Sequence, residues 1–232
     1  MQSIDPLNLT ERENYKLLIG SIIPRPIAFV TTLSHDAVLN GAPFSYFNIV
    51  SSDPPFISLS IQRSGGKAKG TARNMKTRGE FVVHIVDEDN VHQVNMTAAK
   101  LPPDQSEVQL ADLTPVDSVK VTVPGIAEAK IRMECVVEHA LEFGGHGEKG
   151  CDFIIGRVVQ FHIQDHIYEN GRIDPVGLKA VSRLAGHHYA KVRDIFEIER
   201  PLRNKNFCKA AETSTFRELR RFKSMNRSSR VH

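Results

Sequence analysis

The feature that most constrains the fold is the alternation of side chains between residues 131 and 143. Apolar side chains and one histidine occupy the odd positions, which are Ile131, Met133, Cys135, Val137, His139, Leu141 and Phe143. Charged side chains occupy four even positions, which are Arg132, Glu134, Glu138 and Glu142. A period of two is typical of a β-strand, whose successive side chains point to opposite faces. We therefore expect a strand with one buried face and one face in water.

Short apolar runs elsewhere predict more strands. Three runs are rich in β-branched or aromatic residues, and they span residues 27–32, 56–61 and 81–86. Such a composition favours strands. Turn residues around Asp36 and Asn40 predict a hairpin that joins the first run to a second strand at residues 42–50.

Residues 153–163 are apolar on both faces, as expected of a central barrel strand, and Gly156 is a candidate bulge within them. A short helix is predicted from Thr71 to the glycine at position 79, and a second across residues 91–99. The polar segment 101–117 contains three prolines and is predicted to cross the surface. The sequence thus predicts a mainly β fold with six or seven strands and two or three helices.

The positive charge is concentrated near the C-terminal end. The 232 residues have a formal net charge of +3, but residues 202–232 hold nine Lys or Arg and two Glu, a net of +7, so residues 1–201 carry −4. We predict one domain over residues 1–201 and a basic tail over residues 202–232. Because the tail is poor in branched apolar residues, we expect it to be disordered or loosely attached, with a basic interaction arm as the alternative.

Membrane spanning and secretion are both disfavoured. No apolar run approaches the ~20 residues of a membrane helix, and the N-terminal segment has neither a basic start nor an apolar core. Cys135, Cys151 and Cys208 are far apart and form no CxxC pair. This usage favours reduced thiols, and we expect a cytoplasmic protein.

A glycine-rich basic loop precedes the first predicted helix. Gly65 and Gly66 permit close backbone approach, and Thr71 is expected to cap the helix. With Arg63 and Lys69 nearby, the loop is suited to a terminal phosphate. A solvated loop with routine positive charge is the alternative. The chain has neither the P-loop pattern nor the G-x-G-x-x-G dinucleotide pattern.

The histidines do not indicate a metal site. None of the ten lies in an H-E-x-x-H or His/Cys-paired spacing. The candidates were His139, His146, His162, His166, His187 and His188. A hydrogen-bonded structural role is favoured for the two within strands. No G-x-S-x-G elbow is present either, so we predict neither a metal nor a catalytic triad.

Several ordered motifs carry a resemblance to a known family. They are PRPIAFVTT at residues 24–32, NGAPFSYF at 40–47, SSDPP at 51–55 and GEFVV at 79–83. With IGRVV at 155–159 and SRLAG at 182–186, the chain resembles the flavin reductase-like family, whose members include flavoredoxin-like proteins. The likeness covers about residues 15–200. Gly70 stands where that family usually has Asp, and His84 where Asn is common.

The resemblance implies an FMN-binding split β-barrel of Greek-key type that forms a homodimer. It places the flavin ring against Ala42, Pro43, Phe44 and Ser45, and the phosphate at Arg63, Lys69 and Thr71. Polar support is implied for Thr31, Thr32, Asn40, Ser60 and Asn74. A purely structural role in the hairpin remains an equal alternative for Thr31 and Asn40. Because flavin itself carries the redox chemistry, no catalytic side chain is expected.

Three functions follow as hypotheses. The first is an NAD(P)H-dependent flavin oxidoreductase that passes hydride from nicotinamide to flavin, in some cases for a partner oxygenase or redox protein. The second is a flavoredoxin-type electron carrier that keeps its FMN tightly. The third, from a different class, is a nucleic-acid-binding barrel with a basic tail, which the negative charge of residues 1–201 disfavours.

Overall fold

The computed structural model of the protein describes residues 1–99, 101–144 and 150–200. The chain divides into one unit at Met1–Arg193 and a second at Asp194–His232. Of the second unit, the described residues 194–200 are exposed and have no regular secondary structure. The predicted tail at 202–232 lies outside the described residues, and the domain limit at 201 stays a prediction.

Fourteen strands and five α-helices occur in the described part of the chain. The strands are β1 Arg25–Pro26, β2 Ala28–Leu33, β3 Leu39–Phe44, β4 Phe47–Ser52, β5 Pro55–Gln62, β6 Glu80–Ile85, β7 Pro115–Val116, β8 Gly125–Ile126, β9 Ile131–Phe143, β10 Cys151–Ile163, β11 Tyr168–Glu169, β12 Arg172–Ile173, β13 Val181–Arg183 and β14 Tyr189–Lys191. The helices are α1 Glu11–Ser21, α2 Gly70–Arg78, α3 Val91–Met96, α4 Glu107–Leu110 and α5 Pro175–Leu178.

Seven strands form the main sheet in the order β3-β2-β6-β9-β10-β5-β4, and every neighbouring pair is antiparallel. Its two edge strands, β3 and β4, are joined only by Ser45 and Tyr46. Three Cα steps span at most about 11 Å, so the sheet curls until its edges meet. The result is a barrel that is split between β3 and β4, as the resemblance implied.

The barrel is filled by its own side chains. Val30, Leu59, Phe81 and Ile154 belong to one buried cluster that spans both halves of the sheet. The ring of Phe81 occupies the space above Gly156, where a Cβ atom would overlap it. The β9–β10 register shifts between Ile155 and Gly156, which confirms the predicted bulge.

Three expectations about local structure were wrong. Residues 42–50 form two strands with a turn at Ser45–Tyr46 rather than one. Thr71 does not cap α2, because the helix begins one residue earlier and its N-cap is Lys69. Five α-helices are present in the described residues where two or three were expected, and α1 is the longest of them.

The expected division of β9 into a buried and a wet face was wrong as well. Glu134 is fully buried, because the loop before β8 covers it and donates backbone N–H bonds from Val119, Lys120 and Val121. From Glu138 to Phe143, both faces of the strand are exposed. The apolar side chains of the alternating pattern are therefore buried only in the first half of the strand.

Candidate functional site

A cleft of about 390 Å³ opens at the split between β3 and β4. One wall is the β3–β4 turn. A second wall is formed by the end of β5 together with the start of α2. These contribute Pro43, Phe44, Ser45, Tyr46, Ser60, Gln62 and Lys69. The third wall is formed by α1, β1 and the chain around β13 and β14. Its residues include Tyr15, Ile19, Arg25, Arg183, Leu184 and Tyr189.

The β3–β4 turn gives the cleft a wall of two apolar residues, Pro43 and Phe44, and two polar ones, Ser45 and Tyr46. Phe44 is buried in the barrel core, which fixes the end of β3. The backbone N–H of Ser60 donates to the carbonyl of Tyr46 at 2.9 Å, which ties the turn to β5. Burial raises the pKa of the Tyr46 hydroxyl, so this group is a neutral hydrogen-bonding partner at neutral pH.

The N-terminus of α2 supplies directed donors at the other end of the cleft. This helix has nine residues, and its N-cap Lys69 makes no side-chain capping bond. The first N–H groups of any helix have no partner within the helix and carry a partial positive charge. Gly70 leaves open space there, since a Cβ atom at this position would have only the Arg73 side chain nearby, at 3.9 Å. An anion suits this position.

The loop before α2 is held by an ion cluster that joins it to α2, β9 and β10. Asp152, whose side chain is 0% exposed, accepts bonds from Arg63 Nε at 3.1 Å and from Nη2 at 2.8 Å. Lys76 Nζ lies 2.5 Å from the same carboxylate. Glu142 contacts both cations at 2.7 Å from the exposed side. We call these four residues the ion cluster.

Electrostatics within the ion cluster favours the charged forms. Burial alone would raise the pKa of Asp152, but the hydrogen bonds from Arg63 and Lys76 lower it below its ordinary value. The pKa of Arg63 is raised by the hydrogen bonds to Asp152 and Glu142. The two cations are thus matched by two carboxylates, and the loop has a fixed shape. Gly65 and Gly66 adopt φ values of 56° and 71° within it, a conformation that favours glycine.

Arg25 connects the three segments that surround the cleft. Its Nη1 donates to the carbonyls of Ile19 at 2.8 Å and Ile22 at 2.5 Å, and its Nη2 donates to that of Leu184 at 2.9 Å. Its Nε lies 3.5 Å from Ser45 Oγ. The side chain therefore links α1, the β3–β4 turn and the chain after β13.

The third wall also carries an aromatic and cationic pair. The guanidinium carbon of Arg183 lies 4.5 Å from the centre of the Tyr189 ring. The Tyr189 hydroxyl donates to Asn95 Oδ1 at 3.0 Å, and Arg183 Nη2 donates to the carbonyl of Gly186 at 2.7 Å. These contacts fix a flat, polar-edged surface that faces the cleft.

A model of the family described as "Flavin reductase like domain" matches residues 19–177. The chain belongs to the flavin reductase-like family. The chain is also similar to curated proteins: the Bacillus subtilis protein YwrF is 50% identical over 196 residues, which are 83% of this chain and 96% of that protein. A Halalkalibacterium halodurans protein is 49% identical over 205 residues, which are 88% of this chain and 98% of the relative.

Solved structures share this architecture. The nitrilotriacetate monooxygenase component B from Bacillus cereus is 58% identical with a TM-score of 0.84, and the match covers 85% of this chain and 98% of that one. The flavoredoxin of Desulfovibrio vulgaris is 21% identical with a TM-score of 0.67, over 76% of this chain and 91% of that one. The second likeness shows the fold alone. The predicted mainly β split barrel of this family is confirmed.

The structure divides the twelve sequence-predicted site residues of this flavin reductase-like chain into two groups. Five of them line the cleft, namely Pro43, Phe44, Ser45, Ser60 and Lys69. The others do not line it, namely Thr31, Thr32, Asn40, Ala42, Arg63, Thr71 and Asn74. Of these, Ala42 packs against the barrel core and Arg63 belongs to the ion cluster. The functional roles of all twelve stay predictions.

The predicted polar supports form a network behind the cleft. Asn74 Nδ2 donates to Thr32 Oγ1 at 3.1 Å and to Asn40 Oδ1 at 3.0 Å. Asn40 Nδ2 donates to Glu107 at 3.0 Å, and Thr31 Oγ1 donates to the carbonyl of Pro124 at 2.8 Å. These bonds attach α2 and α4 to the β2–β3 hairpin. The network therefore sets the position of α2 without touching the cleft.

Sequence reasoning assigned no role to Arg25, Arg183 or Tyr189. Two of them lie within quoted motifs, since Arg25 stands between the prolines of PRP and Arg183 within SRLAG. An arginine placed between two conformationally restricted prolines, next to an apolar strand, was the available signal for Arg25. Nothing in the local pattern marks Tyr189.

Three histidines of the described residues, His35, His84 and His162, have hydrogen-bond contacts. No group of three or more His, Cys, Asp or Glu that could hold a metal occurs in residues 1–99, 101–144 and 150–200. His162 Nε2 lies 2.6 Å from the buried Glu134, and His146 falls outside the described residues. His84 is fully buried, which lowers its pKa to about 3. It contacts the Phe29 carbonyl through Nδ1 and accepts from the Ile126 N–H at Nε2.

No helix in the described part of the chain has the length and apolar character needed to cross a membrane.

Proposed function

We propose that this protein is an NAD(P)H-dependent flavin oxidoreductase that binds FMN in the cleft at the barrel split. The observation that carries the proposal is that a single cleft contains both the β3–β4 turn, with its apolar Pro43 and Phe44, and the N-terminus of α2 at Lys69. A flat apolar ring suits the first feature, and a terminal phosphate suits the second.

The residues present fit FMN by the chemistry of their donors. Lys69 and the first N–H groups of α2 would hold the phosphate, while Ser45, Ser60 and the backbone of the turn would hold the edge of the ring. We expect Arg63 to shape the phosphate loop rather than to bind the phosphate, because two carboxylates already engage its guanidinium.

When bound, FMN supplies the site that accepts hydride from a reduced nicotinamide. The residues of this chain would bind the flavin and orient the nicotinamide. The Pro43–Tyr46 turn would position one face of the ring, and the exposed side of the cleft would admit the nicotinamide. Arg183 and Tyr189 present a flat surface there, which would orient the donor.

The proposed consumer of the reduced flavin is an oxygenase component. This proposal is supported by the name of the Bacillus cereus protein, which is component B of a monooxygenase. A flavoredoxin-type carrier that retains FMN is the second candidate, and the retention of flavin separates the two. The nucleic-acid hypothesis rested on the basic residues at 202–232, which lie outside the described residues.

We also propose that the protein acts as a homodimer. The edge strand β4 continues directly from the cleft turn and exposes Ile49 at 76% and Val50 at 49%. The tip of β9 exposes Leu141 and Phe143. Neighbouring exposed apolar side chains of this kind favour burial against a partner. Sedimentation across a wide range of protein concentrations tests the proposal, and a stable monomer with one FMN would leave only the flavin assignment.

The experiment for the proposed activity begins with the absorbance of the purified protein near ~450 nm, where oxidised flavin absorbs. NADH and NADPH are then supplied with FMN, and nicotinamide oxidation is followed. Ser45→Trp should fill the cleft and abolish both FMN binding and turnover. Thr77→Trp, at an exposed position of α2, is the matched control and should leave both intact.

Two outcomes decide between the candidate functions. Rapid exchange of bound FMN with added flavin, together with multiple turnovers, supports a reductase. Retention of one FMN through dialysis without multiple turnovers supports a carrier. Absence of flavin binding by the unaltered protein contradicts both.

A further inference from the structure

Arg25 is a buried cation whose hydrogen-bonding partners are all neutral. The residue is 6% exposed, and its acceptors are three backbone carbonyls and the Ser45 hydroxyl. Among the described residues, no carboxylate oxygen lies within 4.0 Å of its guanidinium. An arginine does not lose its proton in a protein, so the charge persists inside the fold.

Two other cations with little exposure are compensated by carboxylates. Lys130 lies 2.6 Å from Asp89 and 3.3 Å from Asp87, and Arg63 contacts Asp152 and Glu142. Buried charges in proteins are ordinarily paired, because an unpaired one has lost its hydration. Arg25 differs from these two cations, because no carboxylate of the described residues pairs with it, and it lines the cleft proposed for FMN.

We infer that Arg25 makes the cleft prefer two-electron-reduced FMN, which carries a negative charge on its ring, over oxidised FMN, whose ring is neutral. The inference rests on the proposed function. In the transfer, the C–H bond of the reduced nicotinamide breaks, and its hydrogen leaves with both electrons to form an N–H bond on the flavin ring. The nicotinamide becomes a cation, and the flavin ring gains one negative charge.

The surroundings of Arg25 make its charge effective. Ile27 and Phe44 also line the cleft, and an apolar setting strengthens electrostatic interactions relative to water. The guanidinium is fixed by bonds to three separate segments, so it does not have to reorganise when charge develops. A charge held in this way stabilises the reduced ring selectively, because the oxidised ring offers it no opposite charge.

The test compares the affinities for oxidised and for anaerobically reduced FMN. The unaltered protein should bind reduced FMN more tightly, so the reduction potential of bound FMN should lie above that of FMN in water. Arg25→Gln should weaken the binding of reduced FMN on the order of tenfold relative to oxidised FMN, which is about 30 mV for a two-electron couple. Arg25→Lys, which keeps the charge, should retain most of the preference.

Arg78→Gln is the matched control. Arg78 also donates only to backbone carbonyls, those of Ser34 and His35, and it does not line the cleft. This variant should leave both affinities and the reduction potential unchanged. Circular dichroism verifies that each variant is folded.

Each alternative outcome has a distinct meaning. Equal weakening of both redox states by Arg25→Gln would show that Arg25 only holds the walls together, and the inference would be wrong. If Arg25→Gln does not fold, the potential of the unaltered protein decides, and a value at or below that of FMN in water overturns the inference alone. Failure of the unaltered protein to bind either form overturns the proposed function, and the inference with it.

Discussion

The ion cluster and the cleft wall both contain an arginine with little exposure, but the two arginines have different partners. In the ion cluster, Arg63 and Lys76 face Asp152 and Glu142, so the charges cancel within the protein. Arg25, on the cleft wall, meets only neutral acceptors. This difference shows that a positive charge on a side chain does not by itself identify a ligand-binding residue. Charge compensation together with position separates the two: the matched charges of the ion cluster hold the loop, whereas Arg25 lies on the cleft wall with neutral acceptors only.

The largest effect should come from removing the carboxylate at the centre of the ion cluster. Asp152→Ala leaves two cations beside the exposed Glu142 only, and we expect the free energy of unfolding to fall by about 3 kcal/mol. Urea denaturation measures this. Glu142→Ala is the control, because its side chain is 59% exposed, and it should cost less than about 1 kcal/mol. Equal losses of unfolding free energy in the two variants would show that the buried carboxylate stabilises the fold no more than the exposed one.

A smaller effect should appear in the free energy of unfolding at acidic pH. The pKa of Asp152 is lowered in the folded protein, so the unfolded chain takes up this proton first as the pH falls. Its contribution is therefore complete above the ordinary pKa of Asp and is lost below about pH 4. Asp152→Asn should lack this part of the pH dependence. Difference curves of unfolding free energy against pH check it, and parallel curves would contradict the assignment.

The next effect concerns ligand affinity rather than folding. Lys69→Ala combined with Thr71→Ala should weaken FMN binding on the order of tenfold, while riboflavin should change by less than about twofold, because only FMN presents a phosphate to the α2 terminus. Fluorescence titration measures both. The control is Lys67→Ala with Thr77→Ala, which removes the same residue types from the same loop and helix. Equal loss of both flavins would rule out the phosphate assignment.

The smallest effect should come from removing the tail. A chain that ends at Pro201 should bind FMN with unchanged affinity and unfold within about 0.5 kcal/mol of the full chain. We expect this because the composition of residues 202–232 cannot build a core. Loss of flavin from the shortened protein would make the tail part of the site.

The sequence predicted most of the barrel because strand signals are local. The alternation at residues 131–143 and the apolar runs mark strands through a few neighbouring residues, and each corresponds to a strand of the main sheet. The break at Ser45–Tyr46 was missed because the aromatic residues on both sides favour a strand, and Ser45 alone is a weak turn signal. Helix α1 was missed although Thr10 and Glu13 form a capping box, a signal that the sequence does contain.

The candidate site was less predictable, because its geometry depends on distant segments. The motif around residues 40–47 led to the turn that lines the cleft. The same motifs also led to Asn40, Asn74 and Thr32, which lie behind it. No sequence pattern states that Arg63 meets Asp152, or that Arg25 meets the carbonyl of Leu184, because these partners are 89 and 159 residues apart.

The long reach of Arg25 has a consequence for how the protein is made. Its bonds to Ile19 and Ile22 are local, whereas its bond to Leu184 spans 159 residues. A ribosome adds about 5–20 residues per second, so the nascent chain spends several seconds with the first part of the cleft synthesised and the last wall missing. Contacts of such high sequence separation cost more loop-closure entropy than local ones. The cleft proposed for flavin should therefore be complete only after the residues around β13 have emerged.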